Sequence, residues 1–86
     1  MKNLFCYPNP TQGNITLGVN GVPSEGVVTL EVTDIEGRIL SSPILPNSKT
    51  GTYAYQYNTK ELSAGVYFFT FISGSQKLTN KFVKLD

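Results

Sequence analysis

Apolar and polar residues alternate with a period of two through most of this chain, and the pattern is densest between Leu62 and Ile72. There Tyr67, Phe69 and Phe71 fall on one side of an extended strand, and Val66, Phe68, Thr70 and Ile72 on the other, because strand side chains point alternately to opposite faces. The all-aromatic side is expected in the core. The side carrying Thr70 is expected to meet solvent, a loop or a partner, which makes Phe68 its unusual member. Gly65 gives the chain the backbone freedom that a turn into a strand needs.

The same period predicts the other strands. Leu4 to Tyr7 reads as a short strand stopped by Pro8-Asn9-Pro10, whose two prolines remove two backbone donors and hold Asn9 extended. Thr11-Gln12-Gly13 turns the chain, with Gly13 able to take positive φ. Ile15, Leu17 and Val19 alternate with Thr16 and Gly18, the mark of a half-buried strand. Residues 20–26 form a loop by composition. From Val27 to Thr33, Val28, Leu30 and Val32 oppose Thr29, Glu31 and Thr33, and the second set is expected to face water. Asp34-Ile35-Glu36-Gly37 predicts a hairpin turn, with Arg38 to Ser42 as its return strand.

Pro43 and Pro46 break the sheet, and residues 43–52 read as the longest polar connection, suited to a crossing between sheets. Tyr53, Tyr55 and Tyr57 make a tyrosine row on one strand face. The corner from Asn58 to Gly65 has room for one helical turn around Thr59 to Leu62. A Ser73-Gly74-Ser75 turn leads into the last strand, Gln76 to Leu85. Its pattern is mixed, with Leu78 and Phe82 on one parity and Val83 and Leu85 on the other, so a bulge or a change of environment near Asn80 or Lys81 is expected. About seven short strands without a helix-period segment predict an all-β, immunoglobulin-like antiparallel β-sandwich. Leu62-x-x-Gly65-x-Tyr67 further predicts a tyrosine corner, in which a hydroxyl at the start of a late strand bonds back to upstream backbone.

Composition narrows the classes of function. The 86 residues suit one domain, 1–86, that buries somewhat over ~60% of its unfolded surface. Its ten Phe and Tyr suit the ~10 Å space between two sheets. A net charge of +1 makes no field that would attract nucleic acid or an anionic membrane. No run of ~18 apolar residues is present to span a bilayer, and Leu4 to Tyr7 is too short for a signal-peptide core. Met1 followed directly by a strand-like segment is the layout expected of the excised end of a longer polypeptide.

Candidate chemistry is sparse. There is no histidine, and the single cysteine, Cys6, has no base or oriented acid beside it in sequence, so no catalytic residue is assigned. Cys6 reads as a small core residue of an apolar strand. One cysteine cannot form an intrachain disulfide or a cysteine-based zinc site. Asp34 and Glu36 read as a solvated turn in preference to a Ca²⁺ site, which wants six or more oxygens. No metal or cofactor is assigned. Asn14-Ile15-Thr16 matches a glycosylation acceptor, a pattern common by chance. Lys77, Lys81 and Lys84 charge the final strand; edge lysines commonly block aggregation, and the functional reading is an exposed basic tail read by a receptor.

Four stretches taken together resemble the C-terminal sorting domain (type A) of cargo proteins of the type IX secretion system of Bacteroidetes. They are Tyr7-Pro8-Asn9-Pro10-Thr11-Gln12-Gly13, the Asp34-x-x-Gly37 hairpin between its two strands, Leu62-x-x-Gly65-x-Tyr67, and Lys81-Phe82-Val83-Lys84. Each is weak alone; their order and spacing are specific, and the resemblance spans Tyr7 to Asp86. Phe68 and Phe69 are bulkier than the aliphatic residues usual there, and Asp86 follows Leu85 as an extra residue.

The resemblance implies an address label on a larger secreted precursor, not an enzyme. It implies that the precursor reaches the periplasm and folds there. The outer-membrane translocon then recognises the domain, and a sortase generally removes it, leaving the cargo on the cell surface or released. The implied partners are translocon components, the sortase and an N-terminal cargo domain on the same chain. Expected recognition residues are Lys77, Lys81, Phe82, Val83, Lys84 and Leu85, together with the surface around Gly65 to Tyr67. Pro8, Asn9, Pro10, Gly13, Asp34, Gly37, Leu62, Gly65 and Tyr67 carry the family motif. The competing reading is an immunoglobulin-like adhesive or spacer module retained on a surface protein, for which solvent-facing Phe68 would serve.

Overall fold

A computed structural model describes residues 1–23 and 26–86, and it has eight strands. They are β1 (Leu4–Tyr7), β2 (Asn14–Val19), β3 (Val28–Thr33), β4 (Ile39–Ser41), β5 (Ile44–Leu45), β6 (Tyr53–Asn58), β7 (Gly65–Ser73) and β8 (Gln76–Lys84). One antiparallel sheet has the order β1-β2-β6; the other has the order β4-β3-β7-β8, with β5 also pairing to β3. The predicted all-β sandwich is therefore present. Part of the expected loop, Ser24 and Glu25, lies outside the described residues.

The strand alternation translates directly into the core. Ile15, Leu17 and Val19 of β2, Val28, Leu30 and Val32 of β3, and Tyr67, Phe69 and Phe71 of β7 are all buried, joined by Tyr53 and Phe82. Phe69 and Phe71 meet edge to face at 6.2 Å, a favoured arrangement for filling the layer between sheets. On the outward side of β7, Thr70 and Thr79 share a hydroxyl bond of 2.8 Å, while Phe68 is half-buried beside its register partners Thr33 and Lys81.

The turns show where composition was a sufficient guide. Gly37 (φ 84°) and Gly74 (φ 60°) take the positive φ that their hairpins require. At the first hairpin, Asp34 Oδ1 accepts from the N–H groups of Glu36 and Arg38, at 2.9 and 3.0 Å, which closes the turn from within. The Arg38 guanidinium then spans Asp34 (2.7 Å) and Glu36 (3.1 Å). The two carboxylates are thus occupied by an arginine.

Three expectations are corrected and a fourth is resolved. Gly13 does not take positive φ; the turn is made instead by Thr11, whose hydroxyl accepts from Gly13 N–H (3.3 Å) and donates to the Asn14 carbonyl (3.2 Å). The segment after Pro43 is not wholly a connection, because Ile44 and Leu45 rejoin β3 opposite Thr29 and Val28 before Pro46 ends the pairing. No helical turn forms at Thr59 to Leu62; a single Leu62 N–H to Thr59 carbonyl bond of 2.9 Å makes a tight turn. Finally, of the two alternatives for β8 near Asn80 or Lys81, the bulge is absent and the change of environment is present, with residues exposed or half-buried up to Lys81 and Phe82 and Lys84 buried beyond it. The strand pairs with β7 without a break from Ser73↔Gln76 to Gly65↔Lys84, and its inward parity is Leu78, Phe82 and Lys84.

Outside the small sheet, Phe5 lies flat over Gly18, its cross-strand partner. A Cβ at residue 18 would sit 2.1 Å from the Phe5 ring, so the glycine is what lets the ring cover the sheet. Gly18→Ala is expected to lower stability in urea unfolding by ~1–3 kcal/mol, the usual cost of overpacking. In a Phe5→Ala background the same change should cost much less, since the two effects share one contact.

Candidate recognition surface

Three of the motif segments, scattered through the sequence, converge on the last residues of β8. Tyr67 donates its hydroxyl to the Ser63 carbonyl at 2.6 Å, forming the predicted tyrosine corner, and its ring stacks on Phe82 at 5.6 Å. Gly65 enters β7 at φ 155°, and Leu62 packs on the core from the corner. Lys84 is buried, 7% exposed, and its Nζ donates to the carbonyls of Thr59 (2.8 Å) and Leu62 (3.3 Å). The lysine thus ties the final strand to the corner. Burial without such partners would be costly for a terminal amine.

The Pro-Asn-Pro segment closes the other side of the same strand. Asn9 Oδ1 accepts from Val83 N–H at 2.9 Å, Thr11 N–H donates to the Val83 carbonyl at 2.9 Å, and Leu85 N–H donates to the Thr11 carbonyl at 2.8 Å. Thr11 and Lys84 form an isolated parallel bridge. Thr59, fully buried, hydrogen-bonds the Gly13 carbonyl through both its hydroxyl and its N–H, so the corner and the Pro-Asn-Pro turn hold each other. Pro8 and Pro10 flank Asn9 and have no N–H to donate.

The Asp34-x-x-Gly37 hairpin reaches the same end of the molecule. With residues 61–67 of the corner it lines a cleft of about 370 Å³, walled by Leu40, Leu62 and Tyr67 and rimmed by Glu36, Arg38 and Glu61. Hydrogen bonds from Arg38 and from the turn's N–H groups, against the opposing effect of desolvation, hold the Asp34 carboxyl below its ordinary value. The hairpin thus faces the corner, which is itself bonded to the other two motif segments.

The six expected recognition residues separate by parity. Lys77, Lys81 and Val83 point outward from the large sheet, where register places Val83 beside Val66 and Lys81 beside Phe68. Leu85 is 43% exposed just beyond the strand. Phe82 and Lys84 point inward and are buried, which corrects the expectation of Lys84 as part of an exposed basic tail. The sequence reading missed Thr11 and Thr59, the two buried threonines that join the motif segments. A polar residue wedged between Pro10 and a glycine turn is a usable signal for Thr11; nothing local marks Thr59. Cys6 is half-buried against the core instead of inside it, and burial raises its thiol pKa above the ordinary value despite a side-chain hydrogen bond with Asn9 that acts the other way. Among the described residues, no group of three or more acidic, histidine or cysteine side chains is placed to hold a metal ion.

Comparison with protein families matches residues 6–85 to the secretion system C-terminal sorting domain. The chain belongs to this family, whose members are the C-terminal sorting signals of type IX secretion. Such a domain marks its protein for export across the outer membrane to the cell surface or the extracellular space. A comparison with curated proteins finds no match.

Lys84→Met is expected to destabilise the domain by ~1–3 kcal/mol in urea unfolding, because the buried Thr59 carbonyl and the part-buried Leu62 carbonyl lose their donor. Lys81→Ala should stay within ~0.5 kcal/mol of the parent, as an outward surface change. Tyr67→Phe should cost ~1 kcal/mol by removing the corner bond alone.

Proposed function

We propose that the translocation machinery reads this domain in its folded form, through the outward strip of β7 and β8 made by Val66, Phe68, Lys77, Lys81 and Val83, with Leu85 at its end. The observation that carries the reading is the pairing Val66↔Val83 and Phe68↔Lys81, which sets apolar and cationic groups side by side on an outer sheet face. Val66 is 38% exposed there. A mixed patch of this kind gives a partner both apolar area and a charge to orient on. Phe82 and Lys84 contribute from inside, by fixing the strand that presents the strip. The domain travels at the end of a larger precursor whose cargo lies N-terminal to it, and a sortase removes it after translocation.

Fusing residues 1–86 to a periplasmic reporter in a bacterium with type IX secretion tests this directly. The parent fusion should reach the cell surface or medium, and a folded domain left in the periplasm would sink the reading. Lys77→Glu with Lys81→Glu should strand the reporter in the periplasm while leaving the melting temperature of the purified domain unchanged. Export at the parent level would return these lysines to edge protection. Mass spectrometry of the exported reporter should find residues 1–86 gone; a retained domain would favour an adhesive or spacer module.

A further inference from the structure

Antiparallel sheets with open edges invite pairing with other chains, and three of the four edges here are defended. On β8, Lys77 and Lys81 flank the edge, Asn80 Oδ1 accepts from Lys81 N–H at 2.8 Å, and Asn9 and Thr11 occupy the backbone groups of Val83 and Leu85. The opposite edge of that sheet is cut into β4 and β5 by Pro43, with a register shift between Val32 and Thr33. In the small sheet, β1 is four residues long, is stopped by Pro8 and lies beside β8. The fourth edge is β6, and it has none of these devices. Its six residues, Tyr-Ala-Tyr-Gln-Tyr-Asn, hold no charge and no proline, and its pairing with β2 runs without a break from Asn14↔Asn58 to Val19↔Tyr53.

Alternation identifies which backbone groups of β6 face outward. Thr59 N–H donates to the Gly13 carbonyl, in line with the β2 ladder, so odd-numbered residues bond to β2 and the even-numbered Ala54, Gln56 and Asn58 present their N–H and C=O to the open side. Among the described residues, no hydrogen bond reaches the backbone of Ala54 or Gln56 from that side. The strand count points the same way. Three strands, β1-β2-β6, oppose four positions, β8-β7-β3-β4, and β1 lies along β8. That count leaves the position next to β6, on the side toward β4, without a strand, and Leu40 of β4 is 40% exposed.

We infer that β6 accepts an added strand, an extended segment of the translocation machinery with alternating apolar side chains, which completes the small sheet and covers Leu40. This rests on the sorting function but names a second contact, on the far side of the domain from the β7–β8 strip. Backbone bonds supply affinity in such an addition and the alternate side chains supply selectivity. A second copy of this chain is the weaker occupant: its β6 arrives with β2 and β1 attached, a whole three-stranded sheet where the facing sheet leaves one position open.

The test uses the reporter fusion with Gln56→Pro and, separately, Ala54→Pro. Each removes one outward N–H and leaves the β2 ladder intact, a change tolerated on edge strands. Reporter export should fall at least tenfold for both, with Gln56→Ala exported like the parent and melting temperatures of the purified domains within a few degrees. If the parent fusion is exported and the folded proline variants are exported equally well, the inference fails while the sorting function stands. If the parent is not exported, the sorting reading itself has failed. Amide hydrogen exchange on the parent domain is independent of how the variants fold: Ala54 and Gln56 should exchange fast and Tyr55 slowly, and protection at Ala54 and Gln56 would overturn the inference. A concentration-dependent dimer that protects the same amides would assign the edge to a second copy and overturn it as well.

Discussion

The structure depends on the way Lys84 is buried. A lysine side chain reaches into the end of the sandwich and gives its Nζ to two carbonyls of the corner, while its own strand is bonded on the outer edge to the Pro-Asn-Pro turn. Hydrogen bonds add only ~0.5–1.5 kcal/mol each when formed, but a buried group deprived of its partner costs more. The last strand, the corner and the first turn are therefore satisfied together or not at all. Thr59 and Thr11 complete the arrangement, each buried and each bonded across segments far apart in sequence.

This gives the family motif a physical meaning. Pro8 to Gly13, Leu62 to Tyr67 and Lys81 to Lys84 are held together by named bonds, and the Asp34 hairpin faces the corner across a cleft. The motif is a set of residues that close one end of a small sandwich. The parts of the final strand available to a partner are the ones between the motif's inward positions, on the outer face of the large sheet.

The fold was largely legible because strand burial has a period of two: β3 and β7 show it without exception in their central residues, and β2 departs from it where the Phe5 ring covers Gly18. The tyrosine corner was legible from spacing for the same reason: it is a local device. What was not legible depended on distant partners. Lys84 resembles Lys77 and Lys81 in sequence, and only the carbonyls of Thr59 and Leu62 make it an inward residue. The bulge expected near Asn80 came from Val83 and Leu85, apolar residues on the parity opposite to Leu78 and Phe82; Val83 lies on the outward side of a strand that keeps its register, and Leu85 is exposed just beyond its end. Ile44 and Leu45, two residues between prolines, are too short for any periodicity to be seen, yet β3 has unpaired positions for them.

The closing contacts join residues 9–11 to residues 83–85, some of the longest separations in the chain. Contacts of this kind form late, after the entropy of bringing the chain ends together has been met. A polypeptide cut short of Lys84 would leave the corner carbonyls, the Asn9 side chain and the Thr11 backbone without their partners. The two extremes of the domain are thereby latched to each other, and neither can be trimmed without opening the end of the sandwich that the other helps to close.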